Sequence, residues 1–247
     1  MMKGRRFRYL AQGILIVGLL ALYWVYIEKA DSLPKDEEIL AQINAGLSDA
    51  EAVEIQDLLK LDAGHGVAPF LTAGGEYGVS YWERHLTGWK VIHVRTDGEP
   101  RIWMLDPGDP SSFHITWNMN PDRDIETLQY YYIRERGYSS SGPEEHYVPG
   151  IQMKVEASIK GKSYGAMKIP DDWGQALTLS DGSEPPGNSI WENFNPGIHS
   201  TFGWIPLDKE GNEVKWENRD SSSYTVGNVR DQHMQMLDQY HVEQGLY

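Results

Sequence analysis

From residue 77 onward the chain alternates apolar and polar positions with a period of two. Segments 77–82, 89–96, 100–105, 113–119 and 128–134 are rich in aromatic and β-branched residues, the composition of strands. Gly88, the Asp97-Gly98 pair and the Pro107/Pro110 stretch punctuate them as turns. Asp97-Gly98 predicts a hairpin, because both residues tolerate the positive φ that a tight turn needs. The clearest strand runs over 151–160. There Ile151, Met153, Val155, Ala157 and Ile159 alternate with Gln152, Lys154, Glu156, Ser158 and Lys160, which places one face on a core and the other in water. Gly161 and Lys162 turn this strand into another over 163–169. A further hairpin is expected from 202–207 and 213–217, joined by a turn at Asp208 to Gly211.

Elsewhere the spacing is helical. Pro34 followed by Asp36, Glu37 and Glu38 marks a helix start, the acids complementing the helix dipole, and Leu40, Ile43 and Leu47 fall on one face. Gly46 ends that helix. Ser48 with Glu51 forms a capping box ahead of a second stripe, Ala52, Ile55 and Leu59. Together they predict a helical hairpin within residues 28–61. Val229, His233, Met236, Leu237 and Tyr240 predict a closing helix from about Asn228. The polar, Pro/Gly-rich stretch 179–187 is the best internal boundary.

Residues 9–27 carry no charge at all, while Lys3, Arg5, Arg6 and Arg8 precede them without an acid. About twenty apolar residues suffice to cross a bilayer as a helix, and basic flanks stay cytoplasmic. Tyr23, Trp24 and Tyr26 match an interfacial aromatic belt. The expectation is a single-pass signal anchor: a cytoplasmic tail over 1–8, a span over 9–27, and everything after it outside the cell membrane. The fold class expected is therefore α+β. A transmembrane helix leads to a membrane-proximal helical hairpin packed on a mostly antiparallel, meandering sheet (62–178). A smaller β-rich part closed by a helix (179–247) follows.

Charge and cysteine count narrow the function. Of 22 Lys and Arg, four lie in the tail, so the remainder carries 18 against 36 Asp and Glu, a formal charge of −18. Such a surface does not hold nucleic acid or anionic lipid by general electrostatics. The absence of cysteine excludes disulfides, iron–sulfur clusters and thiol catalysis. With no Asn-x-Ser/Thr sequon either, it fits an exported bacterial domain.

Candidate chemistry is sparse. Eight histidines include no HExxH and no His-x-His pair, so no metal site or cofactor is expected. His93 falls on the strand face of Trp89 and Val91, and His114 on that of Thr116 and Asn118; satisfied structural roles are favoured for both. No Gly-x-Ser-x-Gly or Ser-x-x-Lys nucleophile motif is placed to work. Asp106, Asp109 and Ser111 read as a rigid turn, and Asp208 to Asn212 as a hairpin turn rather than half a calcium loop. Tyr130, Tyr131 and Tyr132 are consecutive, so on a strand at least one faces away from the core. They are the candidate contact surface, beside Trp82, Trp89, Trp103 and Trp117 from four separate strands.

Residues 75–107 (GEYGVSYWERHLTGWKVIHVRTDGEPRIWMLDP), with Trp117-Asn118 and 132–138 (YIRERGY), resemble the ectodomains of uncharacterised membrane-anchored proteins of endospore-forming Gram-positive bacteria. The resemblance implies a cell-surface address and no activity. The function expected is a non-catalytic extracytoplasmic binding or accessory module with a protein partner at the cell surface. The alternatives are an envelope-acting glycan or peptide hydrolase using acidic residues, and an accessory sensor coupled to a membrane partner.

Overall fold

The computed structural model describes residues 16–18, 33–141, 144–181, 200–216, 221–227, 229–238, 240 and 242. The chain is built mainly of antiparallel strands. Helix α1 (Asp36–Asn44) opens the described fold, followed by β1 (Ala52–Ile55), β2 (Leu59–Lys60), β3 (His65–Thr72), β4 (Tyr77–His85) and β5 (Gly88–Arg95). Next come β6 (Arg101–Met104), β7 (Phe113–Asn118), β8 (Thr127–Arg134), β9 (Gly137–Ser141), β10 (Glu144–Val148), β11 (Ile151–Ser158) and β12 (Tyr164–Lys168). Helix α2 (Asp171–Asp181) precedes β13 (Ser200–Leu207), β14 (Ser223–Thr225), β15 (Asp231–His233) and β16 (Gln235–Met236).

Three sheets stack on one another. The first has the order β1-β3-β4-β5-β14, with β2 also on β3; the second is β12-β7-β6-β15; the third is β11-β8-β13-β16. Alternation along each strand decides what meets what. Ile102 and Met104 of β6 with Phe113, Ile115 and Trp117 of β7 face Leu128, Tyr130, Tyr132, Phe202 and Trp204 of the third sheet. Trp103, between Ile102 and Met104, points the other way and meets Val67, Val79, Tyr81 and Ile92 of the first sheet. Ile39 and Ile43, one helical turn apart on α1, cover the outer face of the first sheet through Phe70, Trp82 and Val94. Trp173, Ala176 and Leu177 of α2 fill one end of the core between the second and third sheets.

Several expectations are corrected, the α+β class first: the described residues form mainly antiparallel sheets with only short helices. The helical hairpin is absent: only its first half is helical, and Ala52, Ile55 and Leu59 lie on β1 and β2. Val53 and Ile55 are β-branched and favour a strand, and the Asn44 side chain holds the Ala52 amide at 2.7 Å and its carbonyl at 2.9 Å. The closing helix from Asn228 is replaced by β15 and β16, whose intervening Met234 is fully buried. Among the described residues no helix is long and apolar enough to cross a membrane. Helices α1 and α2 have 9 and 11 residues, about 14 and 17 Å, against the roughly 30 Å a span requires. The single-pass anchor with a cytoplasmic N-terminus is therefore unsupported. Of its residues 9–27 only Ile16, Val17 and Gly18 are described, and they are helical; the remainder, with the 1–8 tail, lies outside the described residues. The 179–187 boundary lies outside them from residue 182 onward.

Asp97-Gly98 is no hairpin turn either. β5 belongs to the first sheet and β6 to the second, so the pair is a crossover between layers. Glycine is needed there for another reason: a Cβ on Gly98 would overlap the Asn118 carbonyl oxygen, while the Gly98 carbonyl accepts the Asn118 amide at 2.9 Å. Of the hairpin expected from 202–207 and 213–217, the described residues keep one bridge, Leu207 with Glu213; residue 217 lies outside them.

Candidate functional site

The crossover from β5 to β6 places an unusual set of side chains between two apolar sheets. A bulge opposite Tyr81 inserts Ile92 as an extra residue in β5, so that Tyr81 pairs with His93 and Trp82 with Val91. A bulge re-aims the side chains that follow it. His93 thereby leaves the face of Trp89 and Val91, where sequence spacing put it, and stacks on Tyr81 at 5.3 Å between the first and second sheets. Arg95 follows on the same face and is fully buried.

A belt of alternating charge results. Arg95 Nη1 donates to Asp97 Oδ1 at 2.6 Å, and Arg101 Nη2 lies 3.3 Å from Asp97 Oδ2. Arg101 Nη1 reaches Asp231 Oδ2 on β15 at 3.0 Å, and His93 Nε2 stands 3.8 Å from the same oxygen. Arg95 Nε donates to the Tyr81 hydroxyl at 3.2 Å, and that hydroxyl bonds Thr116 Oγ1 at 2.8 Å. Two cations and two carboxylates balance, which is what lets the charges be buried.

The titration shifts follow the geometry. Burial pushes the Asp97 carboxyl up, but Arg95 and Arg101 outweigh it and hold it below its ordinary value. Burial opposes charge on Arg95, yet Tyr81 and Asp97 keep its guanidinium firmly protonated. For His93 burial wins: its pKa is lowered, with Asp231 opposing and Arg95 and Arg101 reinforcing the shift. Burial thus favours the neutral form of His93, whose Nδ1 meets Thr225 Oγ1 of β14 at 2.7 Å.

Asp97 is also among the residues that line a cleft. The cleft, of about 270 Å³, is walled by Glu76, Tyr77, Glu99, Asn118, Arg123 and Trp216. Its carboxylates are fixed. The Thr72 hydroxyl donates to Glu76 Oε2 at 3.0 Å, and Trp216 Nε1 donates to Glu99 Oε1 at 2.6 Å. The Arg123 guanidinium lies 4.8 Å over the Trp216 ring, a cation–π contact. Trp216 in turn meets Trp204 edge-on at 5.7 Å, so the cleft wall is continuous with the core of the third sheet.

The residues singled out from sequence lie elsewhere. Tyr130 and Tyr132 are fully buried between the second and third sheets, and Tyr131, on the opposite face of β8, is buried with Ile205 and Leu237. Buried side chains present no contact surface, which removes this trio as one. Trp82, Trp89, Trp103 and Trp117 are buried as well. His93 and His114 sit on strands of different sheets, and the His114 ring is held by the Ser112 carbonyl at 2.8 Å. Asp106 and Asp109 cap the amides of Gly108 and Ser111, and Asp208 caps Glu210 and Asn212, so both are turns. Among the described residues no group of three or more His, Asp or Glu could hold a metal ion. Sequence reading missed Arg95, Asp97, Glu99 and Arg101 as a set. The signal was present as the dense run RTDGEPR over 95–101, two arginines flanking two acids between strongly apolar strands.

Comparison with protein-family models, with curated proteins and with solved structures finds no match to this chain.

Proposed function

We propose that this chain is a non-catalytic binding module whose cleft seats a small ligand rich in hydrogen-bond donors or positive charge. One observation carries the reading: the cleft carboxylates are held by protein donors, Glu76 by Thr72, Asp97 by Arg95 and Glu99 by Trp216. Fixed acceptors around an aromatic wall select a ligand by orientation. A general acid needs a pKa raised toward the working pH, whereas Asp97 is shifted the opposite way.

The test is thermal unfolding of the full chain with spermidine, glucosamine or glucose. A ligand at a hundred times its Kd adds about 2.7 kcal/mol, roughly 5–10 °C for a chain of this size. Spermidine or glucosamine should raise the midpoint and glucose should not. Glu99→Gln should abolish the rise, measured against the variant's own midpoint. Reducing ends released from a chitin oligosaccharide by the wild type, and not by Glu99→Gln, would replace binding with hydrolysis.

A further inference from the structure

The β8–β11 hairpin does not end where the third sheet ends. Its last in-sheet pair is Arg134 with Ile151, and beyond it the chain continues as β9 and β10, which pair with each other from Gly137↔Val148 to Ser141↔Glu144. Among the described residues this arm has no further strand neighbour, and neither Tyr138 nor Tyr147 enters a hydrophobic cluster. Even so, it displays two large aromatic side chains. Tyr138 and Tyr147 stand directly opposite each other in the register and are 65% and 66% exposed. Opposed residues share a face, with Cβ atoms about 5 Å apart, so the rings form one continuous patch. Glu145, exposed and two residues before Tyr147, opposes Ser140 and lies on that same face.

A two-stranded arm gains nothing for its own core by exposing a tyrosine pair, and exposed paired aromatics mark contact sites. The chemistry of the patch selects the occupant. Tyrosine faces attract guanidinium and ammonium groups through the ring quadrupole, Glu145 adds a formal negative charge, and the chain as a whole carries −14, which steers cationic partners inward and repels a second copy. We infer that the Tyr138–Tyr147 face of the β9–β10 arm docks an arginine-bearing extended segment of a basic partner protein. This is a contact surface separate from the cleft beside Asp97.

The experiment uses the full chain and a fluorescently labelled eight-residue peptide alternating arginine and serine, read by anisotropy. Wild type should bind it, with affinity falling as salt rises. The double variant Tyr138→Ser/Tyr147→Ser should lose about tenfold, since two exposed cation–π contacts of roughly 0.5–1 kcal/mol each approach the 1.4 kcal/mol of one decade. Its unfolding midpoint should stay that of the wild type, because both rings are exposed. Tyr138→Phe/Tyr147→Phe should retain binding, since it keeps both rings and loses only the hydroxyls. Equal affinity for a glutamate–serine peptide overturns the inference, as does equal binding by wild type and the serine variant. Self-association of the wild type that disappears in the serine variant would show a second copy as the occupant. Cellohexaose competing the peptide off would show a glycan there instead, and either result sinks the basic-segment reading.

Discussion

Replacing Asp97 with asparagine removes one formal charge from the belt between the first two sheets and almost no volume. In the wild type the fully buried Arg95 guanidinium has a carboxylate oxygen at 2.6 Å, the Asp97 carbonyl at 2.6 Å, the Tyr81 hydroxyl at 3.2 Å and the Thr116 carbonyl at 3.5 Å. Three neutral acceptors survive the change, but the adjacent counter-charge does not. Breaking a buried pair by removing one partner costs about 3–5 kcal/mol. The surviving acceptors and Asp231 beyond Arg101 place Asp97→Asn near the lower end, about 3 kcal/mol. Arg95→Met should cost a similar amount, and the double variant less than the two together, because neither leaves an orphan charge in the absence of the other. Urea unfolding of the full chain at neutral pH, followed by circular dichroism with a constant m-value, measures all three. The pH dependence supplies a second readout. The folded Asp97 pKa lies below its ordinary 3.8, so the unfolded chain binds the extra proton; the contribution is complete above 3.8 and is lost as pH falls through the folded value. Asp97→Asn should flatten that acid limb. A loss under 0.5 kcal/mol, or strict additivity in the double variant, would refute the belt as a source of stability.

Two further substitutions separate packing from polarity. The Tyr130 hydroxyl is buried without a hydrogen-bond partner among the described residues, and burial raises its pKa well above the usual range, so Tyr130→Phe should be neutral or stabilise by about 1 kcal/mol in the same urea assay. Gly98→Ala drives a methyl group into the Asn118 carbonyl oxygen and should cost more than about 2 kcal/mol, whereas Gly211→Ala, at φ 83° with open space around it, should cost nearer 1 kcal/mol; the reverse order would remove close approach as the reason for Gly98.

The parts of this fold that sequence exposes are the strands with one wet face. β11 shows it plainly: Ile151, Met153, Val155 and Ala157 pack against the core, and Lys154, Glu156 and Ser158 are exposed. Strands between two other layers lose that contrast. β3 reads HGVAPFLT, with Val67 in one core and Ala68 and Phe70 in another, so no period of two survives. Its Pro69 also argues against a strand. The structure tolerates it because a residue's nitrogen and oxygen point to the same neighbour, and the Pro69 carbonyl faces Gln56 in the gap between β1 and β2, where no ladder donor is needed. The division into three sheets was hidden for the same reason, since the second sheet is covered on both faces. Tyr131 does point away from its neighbours on β8 as a strand requires, but Leu237 covers it, and a residue more than a hundred positions away leaves no local trace. The belt depended on one inserted residue, Ile92, which no periodicity announces.

The segment from β14 to β16 explains how three separate sheets behave as one body. β14 completes the first sheet on β5, β15 the second on β6, and β16 joins the third on β13. Each of those partners would otherwise carry an open edge. The same segment delivers Thr225 to His93, Asp231 to Arg101, Met234 to the core between the second and third sheets, and Leu237 to the outer cluster of the third. Its pairings are short, three, three and two residues, and they span more than 120 positions where Thr225 and Asp231 meet the belt. Contacts of that separation bear a large chain-closure cost before they return anything. They are stable only once the sheets already stand in register, so the segment reports on all three at once. Until Asp231 arrives, Arg101 has Asp97 as its counter-charge in the belt and must share it with Arg95. Closing the second sheet's edge and completing the buried charge balance therefore rest on one strand, β15, which couples the architecture of the fold to the site built on it.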